Sequence, residues 1–382
     1  MLESLFWIAL IGAGYSYFLY PLVLYLFARR EPHFEMEGHA QTDDALPLLT
    51  TIVAARNEET RLRGKIEDLL SQDYPKDRWQ IIVVSDGSTD GTADIARSFT
   101  EQGVQCLELE QRQGKETAQA RAIQMASGDL LVFTDVATRI GGAGLRGMAS
   151  ALMLPGVGAV SSEDRFVTVD GRPGGEGLYV RYEMWLRRLE SRAGGLVGLS
   201  GSLFAMRREL CDEWPTDIPS DMLAALRTAR RGLRAISLPN VHGLYPDLKD
   251  DSAEFARKRR TAVRGMAALA YARELLNPWK YGLFAFQLWS HKVLRWGTPW
   301  FMALALLSNI ALAAGSVFFT WTLLLQLLFY GLAALGALWP TARRFAPVRI
   351  IYFFVLSNLA LAVALVDYLR GQRIVQWEPS AR

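Results

Sequence analysis

Thr51-Ile52-Val53-Ala54-Ala55-Arg56-Asn57-Glu58-Glu59 and, about thirty residues on, Ile81-Ile82-Val83-Val84-Ser85-Asp86-Gly87-Ser88-Thr89-Asp90-Gly91-Thr92 decide the fold. Each is a short apolar run that stops abruptly in polar residues. A parallel strand buried on both faces reads this way when its carboxyl end opens into a site. Residues 61–71 between them have helical spacing, so the unit is strand-helix-strand. Ligands of open α/β sheets sit off the carboxyl ends of the strands. Two polar strand ends, one carrying Asp86, point to a nucleotide pocket.

The chain has 382 residues, room for one sizeable catalytic domain with accessory segments, and its formal net charge is +3. Nothing in that balance calls for a nucleic-acid partner. The two cysteines, Cys106 and Cys211, have no metal-ligand spacing, and a reducing setting without a disulfide is expected.

Apolar residues make up 51% of the sequence but are unevenly spread. Residues 5–28 carry no charge, enough helix to span a hydrocarbon core of ~30 Å at about 1.5 Å per residue. A cleaved signal peptide would have a basic start and a shorter apolar run. Glu3 precedes the segment and Arg29-Arg30 come directly after it, which places the chain from residue 29 onward on the cytoplasmic side. Residues 297–342 are also uncharged, long enough for two passes with a hairpin at Gly315-Ser316. Residues 350–366 form a last, short apolar stretch. The tail cations Arg370, Arg373 and Arg382 run against the charge rule, so either that stretch is re-entrant or the rule fails. Residues 278–296 mix Tyr281, Phe284, Trp289 and Trp296 with Lys280, His291, Lys292 and Arg295, as a helix lying in the interface does; the alternative is the first turn of a spanning helix. The expected organisation is an anchor at 1–29, a linker at 30–47, a catalytic domain at 48–265, interfacial helices at 266–296, about three spanning segments in 297–370 and a tail at 371–382.

Six more motifs punctuate the chain. Gly114-Lys115 opens a helix, where a cation beside free backbone N–H groups favours an anion. Gly128-Asp129-Leu130-Leu131-Val132-Phe133-Thr134-Asp135 is another apolar strand ending in an acid. Ser162-Glu163-Asp164-Arg165 ends a strand in charges that need no special role. Gly198-Leu199-Ser200-Gly201-Ser202 is a turn whose glycines admit close approach and whose hydroxyls suit sugar oxygens. Ser220-Asp221 precedes an apolar helix, where either residue serves as an ordinary N-cap. A basic run, Arg257-Lys258-Arg259-Arg260, lies beside the membrane segments, where lipid headgroups are one explanation for such cations.

In this order the motifs resemble the inverting, membrane-bound family 2 glycosyltransferases of the GT-A fold, over roughly residues 48–265. The resemblance implies an α/β nucleotide-diphospho-sugar transferase domain with transmembrane helices at both ends. Ala55, Arg56 and Glu58 would surround the nucleobase, and Asp86 and Lys115 would hold the nucleotide. Asp135 would help hold Mg2+ or Mn2+ against the diphosphate. Most of the family shows a second aspartate two residues on; Ala137 stands there, and Glu163 or Asp164 are substitutes to consider. Ser200 and Gly201 would form the acceptor entrance, and Asp221 the general base that takes the acceptor's proton. Arg260, with Arg257 beside it, corresponds to the arginine of the Gln-x-x-Arg-Trp motif that clamps the leaving pyrophosphate; the motif's tryptophan is replaced by Thr261. The partners so implied are a nucleotide sugar (a UDP-sugar is the expected donor), a lipid-linked or exopolysaccharide glycan acceptor, and membrane lipids. The expected location is the bacterial inner membrane, multi-pass, with the domain in the cytoplasm. A processive polysaccharide synthase and a membrane scaffold that has lost catalysis are the alternative readings.

Overall fold

The computed structural model describes residues 1–28, 43–167, 178–246 and 251–372. Most of the expected linker, Arg29, Arg30 and the tail from Arg373 onward lie outside the described residues. Two compact units emerge. One is built mainly from Leu24–Lys249 and Ala268–Ala285, the other from Met1–Val23, Asp250–Ala267 and Phe286–Arg373.

The first unit is α/β. Its strands are β1 (Leu49–Ala55), β2 (Trp79–Asp86), β3 (Val104–Leu109), β4 (Leu130–Asp135), β5 (Arg139–Gly142), β6 (Val157–Val167), β7 (Leu203–Arg207) and β8 (Arg234–Pro246). They form one sheet in the order β3-β2-β1-β4-β7-β6-β8-β5. The half from β3 to β4 is parallel throughout. Ile52, Val53, Ile82, Val83, Val84, Leu131 and Val132 are fully buried, which accounts for the uniform apolar runs in the sequence. The helix Glu59–Leu70 lays Leu62, Ile66 and Leu69 on the sheet at helical spacing, and Glu59 sits in its first turn where the helix dipole favours an acid. Each of those apolar side chains is fully covered, worth about 1.5–3 kcal/mol apiece.

The second half of the sheet is mixed. β7 runs antiparallel to both β4 and β6, with Phe133 opposite Phe204. Those rings stack at 4.8 Å, and Trp214 also stacks on Phe133, at 5.4 Å. β6 then pairs parallel with β8, with a register shift between Ser162 and Glu163. Such a bulge re-aims the side chains beyond it.

The second unit is helical. Four helices among the described residues are long and apolar enough to cross a membrane: Leu2–Ala28, Pro278–Ala313, Val317–Leu338 and Ala346–Leu369. The protein is on this ground a membrane protein. The helix Pro278–Ala313 has 36 residues, about 54 Å of helix, far more than a ~30 Å core requires. Its backbone breaks at Gly282, with φ of 48°, and has a π-helical turn at Trp289–Val293. Past the break at Gly282, the aromatic and cationic stretch runs on through the π-helical turn into the helix Leu294–Ala313. Within this unit the first helix packs on that one. Ser16 Oγ donates to the Ser290 carbonyl at 2.8 Å, and Tyr15 and Ser290 hydroxyls meet at 3.0 Å. Gly12 lies against the Phe301 ring, where a Cβ would come within 2.8 Å of it. The Arg295 guanidinium lies over the Tyr17 ring at 4.8 Å.

Candidate active site

Strand direction gathers the site. β1, β2 and β4 are parallel, so Ala55, Asp86 and Asp135 leave the sheet at the same edge. β7 is antiparallel and begins where β4 ends, with Leu203 opposite Thr134. The loop before it, containing Ser200 and Gly201, thus reaches that edge too, and the Asp135 N–H donates to the Ser202 carbonyl at 3.0 Å. β6 runs toward the same edge and delivers Glu163 and Asp164. The N–H of Leu199 bonds the carbonyl of Asp221, first turn of the helix Ser220–Arg230.

The β1 and β2 ends are laced together. Asn57, at φ of 52°, accepts from the Thr89 N–H at 2.9 Å, and the Glu58 N–H donates to Thr92 Oγ1 at 2.8 Å. Glu59 accepts from the Gly91 N–H at 2.9 Å. Glu58 is buried and 2.7 Å from Arg61. Burial raises its pKa above the usual carboxylate range, the Arg61 charge and hydrogen bond opposing, with Asp135 and Asp90 adding to the rise. The Nε of Arg56 is buried and has no hydrogen-bond partner among the described residues, as a donor awaiting an anionic or polar ligand would be.

Asp86 is 4% exposed. Its two carboxylate oxygens accept the backbone N–H groups of Gln113 at 2.7 Å and Gly114 at 2.9 Å. The side chain therefore fixes the loop that presents Lys115. Gly87 supports the same junction. Its φ is 57°, and a Cβ there would stand 2.3 Å from the Arg112 nitrogen. Lys115 Nζ lies 2.5 Å from Asp135 Oδ1 and donates to the Gly201 carbonyl at 3.1 Å. A Cβ on Gly201 would in turn sit 3.1 Å from Asp221 Oδ2. Asp135, Lys115, Gly201 and Asp221 thus form one chain of contacts. Asp221 makes no side-chain cap; its Oδ1 accepts the N–H of its neighbour Met222 at 2.8 Å.

Glu163 and Asp164 part ways after the bulge. Glu163 is buried and receives Arg188 bidentately, both bonds 2.6 Å. Asp164 Oδ1 accepts from Ser200 at 2.5 Å and Ser202 at 3.0 Å. Both carboxylates are thus engaged by other side chains. Among the described residues no group of three His, Cys, Asp or Glu side chains is placed to hold a metal. Asp135 alone suits an ion such as Mg2+, which keeps waters and phosphate oxygens as its other ligands. Arg257 and Arg260 lie on the helix Asp251–Tyr271 in the other unit, where Arg257 pairs with Glu254 at 2.8 Å.

Sequence reasoning passed over Lys65. It sits in the apolar stripe of its helix, fully buried, and its Nζ donates to the Thr138 carbonyl at 2.6 Å, holding the loop just after Asp135. Burial lowers its pKa to about 8, against the pull of Asp68. A lysine between Leu62 and Ile66 was the available signal. Arg188 and its helix were also missed, because their partner lies 25 residues away.

Residues 50–214 match the model of the family described as "Glycosyl transferase family 2". A "Glycosyltransferase AglE" of Haloferax volcanii is 34% identical over 92 residues, covering 24% of this chain and 30% of that protein. A "Beta-monoglucosyldiacylglycerol synthase" of Nostoc sp. is 23% identical over 212 residues, 52% of this chain and 43% of the relative. A "Poly-beta-1,6-N-acetyl-D-glucosamine synthase" of Staphylococcus epidermidis is 25% identical over 230 residues, 58% of this chain and 52% of the relative. The chain thus spans about half or less of the length of these curated relatives. Among solved structures, a mannosyltransferase of Pyrobaculum calidifontis in complex with GDP-Man and Mn2+ superposes with a TM-score of 0.73 at 25% identity, covering 98% of this chain and 100% of that one.

Proposed function

We propose that this chain, a glycosyltransferase carrying a family 2 domain of the GT-A type, moves one sugar with inversion from a nucleotide sugar to a lipid-linked or exopolysaccharide acceptor. The observation that carries the reading is the run of contacts from Asp135 through Lys115 and Gly201 to Asp221. It sets a group for the diphosphate and a group for the acceptor side by side on one sheet edge.

The nucleotide, a UDP-sugar in the first instance, lies over Ala55, Arg56 and Glu58, with Arg56 Nε as a donor to it. Asp86 holds the 113–114 loop so that Lys115 meets the diphosphate. A divalent ion, Mg2+ or Mn2+, held by Asp135 would neutralise charge on the leaving diphosphate. Asp221 takes the proton of the acceptor hydroxyl. The acceptor oxygen forms its bond to the anomeric carbon as the bond from that carbon to the phosphate oxygen breaks, and the nucleoside diphosphate leaves with the electron pair. Attack from the face opposite the leaving group inverts the centre. Thr261, in place of a stacking tryptophan, favours a single addition over processive synthesis. Arg29-Arg30 after the first helix and Arg343, Arg344 and Arg349 before the last favour a cytoplasmic domain on a bacterial inner membrane.

The test is Asp221→Asn in the full-length protein. Transfer is expected to vanish while nucleotide affinity stays within a few-fold. Unchanged turnover removes Asp221 from the base's role, and a ladder of long polymer from the unmodified protein removes single addition.

A further inference from the structure

The loop from Gly198 to Ser202 belongs to no strand or helix, yet backbone bonds of the candidate site converge on it. The Leu199 N–H donates to the Asp221 carbonyl at 3.2 Å, and the Gly201 carbonyl accepts from Lys115 Nζ at 3.1 Å. The Ser202 carbonyl accepts from the Asp135 N–H at 3.0 Å. Buried main-chain polar groups need partners, and a loop without a ladder must find them elsewhere. Whatever holds this loop also holds the groups proposed for transfer.

Two of its other backbone groups lead to one side chain. The Gly198 carbonyl accepts from Arg187 Nη2 at 3.1 Å, and the Ser200 N–H donates to Ser161 Oγ at 2.8 Å. Ser161 Oγ also accepts from Arg187 Nη2, at 2.9 Å, and gives its own proton to the Ser162 carbonyl at 3.2 Å. Both lone pairs and the proton of that hydroxyl are used, so its orientation is fixed. Arg187 lies in the helix Leu178–Ala193. Its carbonyl accepts from Ser191 Oγ at 2.8 Å, and that oxygen accepts from the Ser237 N–H of β8 at 2.8 Å. The arginine is thus anchored to the sheet at one end and to the loop at the other.

Arg187 is 8% exposed. Among the described residues its hydrogen bonds go only to neutral acceptors, and its Nε is buried without a hydrogen-bond partner. Removing a cation from water on such terms is costly, and a leucine there would carry less desolvation. A leucine would not bridge a carbonyl and a hydroxyl, as a planar guanidinium does. We infer that Arg187 is a positioning residue for sugar transfer: by setting the 198–202 loop it sets the seats of Lys115 and Asp221. This deepens the glycosyltransferase reading and rests on it.

The test uses the full-length protein in detergent, with hydrogen exchange read by mass spectrometry and UDP titrated by calorimetry. Arg187→Met removes the guanidinium. Ser161→Ala removes the hydroxyl between it and the loop, and is a small enough change to leave the fold intact. Each variant is expected to speed exchange at 198–202 and 220–223 about ten-fold and to weaken UDP binding about ten-fold. Both act through one relay, so the double variant binds UDP no worse than Arg187→Met alone. A merely structural arginine would loosen its own helix instead. Faster exchange in 178–193 with 198–202 unchanged therefore overturns the proposal. So do affinity losses that add in the double variant, or an unchanged affinity while the loop loosens. If Arg187→Met does not fold, Ser161→Ala decides by its exchange and its affinity. Absence of both UDP and GDP binding in the unmodified protein fails the nucleotide-sugar reading itself, and with it the role of Arg187 in transfer. Exchange, which needs no ligand, separates that failure from a failure of the tether.

Discussion

Replacing Asp86 by asparagine separates two roles that the same carboxylate can hold. In the structure both oxygens are engaged by backbone N–H groups, Gln113 at 2.7 Å and Gly114 at 2.9 Å, and the side chain is 4% exposed. Asparagine keeps one acceptor and turns an NH2 toward the other amide. One charge-assisted hydrogen bond, about 1.5–3 kcal/mol, becomes a neutral one of about 1 kcal/mol, and the second N–H is left buried and unsatisfied at about 1–3 kcal/mol. The sum is a loss of roughly 2–4 kcal/mol. For a domain of this size that lowers Tm by roughly 5–15 °C. Nucleotide affinity falls as well, because the 113–114 loop no longer fixes Lys115. The assay is thermal unfolding of the full-length protein in detergent, paired with a UDP titration. A variant with unchanged Tm and lost UDP binding would refute the reasoning, since Asp86 would then act on the ligand and not on the loop.

Lys115→Met removes the cation beside Asp135, and UDP affinity is expected to fall about ten- to hundred-fold, the worth of a charged contact of about 1.5–3 kcal/mol; calorimetric titration with equal affinity for both proteins would exclude the lysine from the nucleotide site. Gly87→Ala puts a methyl into the backbone of Gln111 and Arg112 at a positive φ. Neither neighbour can yield as a side chain could, so a cost of about 3 kcal/mol or more is expected, and an unaltered Tm speaks against the close approach. Lys65 has its pKa lowered from 10.5 to about 8. Between those values the unfolded chain binds more protons, so stability climbs as pH rises through that interval, by about 3 kcal/mol in full. Tyr74, whose hydroxyl donates to the Pro47 carbonyl, is pushed by burial up to about 12 from 10.0, so above pH 10 the folded chain keeps the proton and stability falls again. Denaturant midpoints measured from about pH 7 to 11 should peak near 10, and Lys65→Met should flatten the rising limb; a rise that survives in that variant assigns it elsewhere.

The strands most readable in the sequence are those the sheet covers on both sides. β1, β2 and β4 carry no alternation because they have no wet face, and each ends in the residues that meet at the site. β6 and β8 are harder to read. Ser161, Ser162 and Ser237 lie buried in them and interrupt the apolar pattern, and the bulge between Ser162 and Glu163 depends on the partner strand. Asp86 stands out locally, but its grip on Gln113 and Gly114 joins residues nearly thirty apart, a distance no local pattern spans. Ala137 is visible in the sequence, whereas the Lys115 ammonium against Asp135 appears only in three dimensions. The aromatic and cationic stretch 278–296 has the composition of an interface segment, yet composition does not tell where a helix ends. Hydrogen bonding carries it on through Ala313.

The partner of the first membrane helix lies at the far end of the chain. Leu2–Ala28 seats its Tyr15 and Ser16 hydroxyls on Ser290, so during synthesis those groups enter lipid about 260 residues before their mate exists. At ~5–20 residues per second the delay is roughly ten to fifty seconds. Until then the hydroxyls must back-bond to their own helix or recruit water. The π-helical turn there widens the coil at just those residues, Tyr15–Leu19. A ribosome stalled before Trp289 would therefore leave a lone polar notch facing acyl chains, open to any neighbouring transmembrane segment able to hydrogen-bond with it.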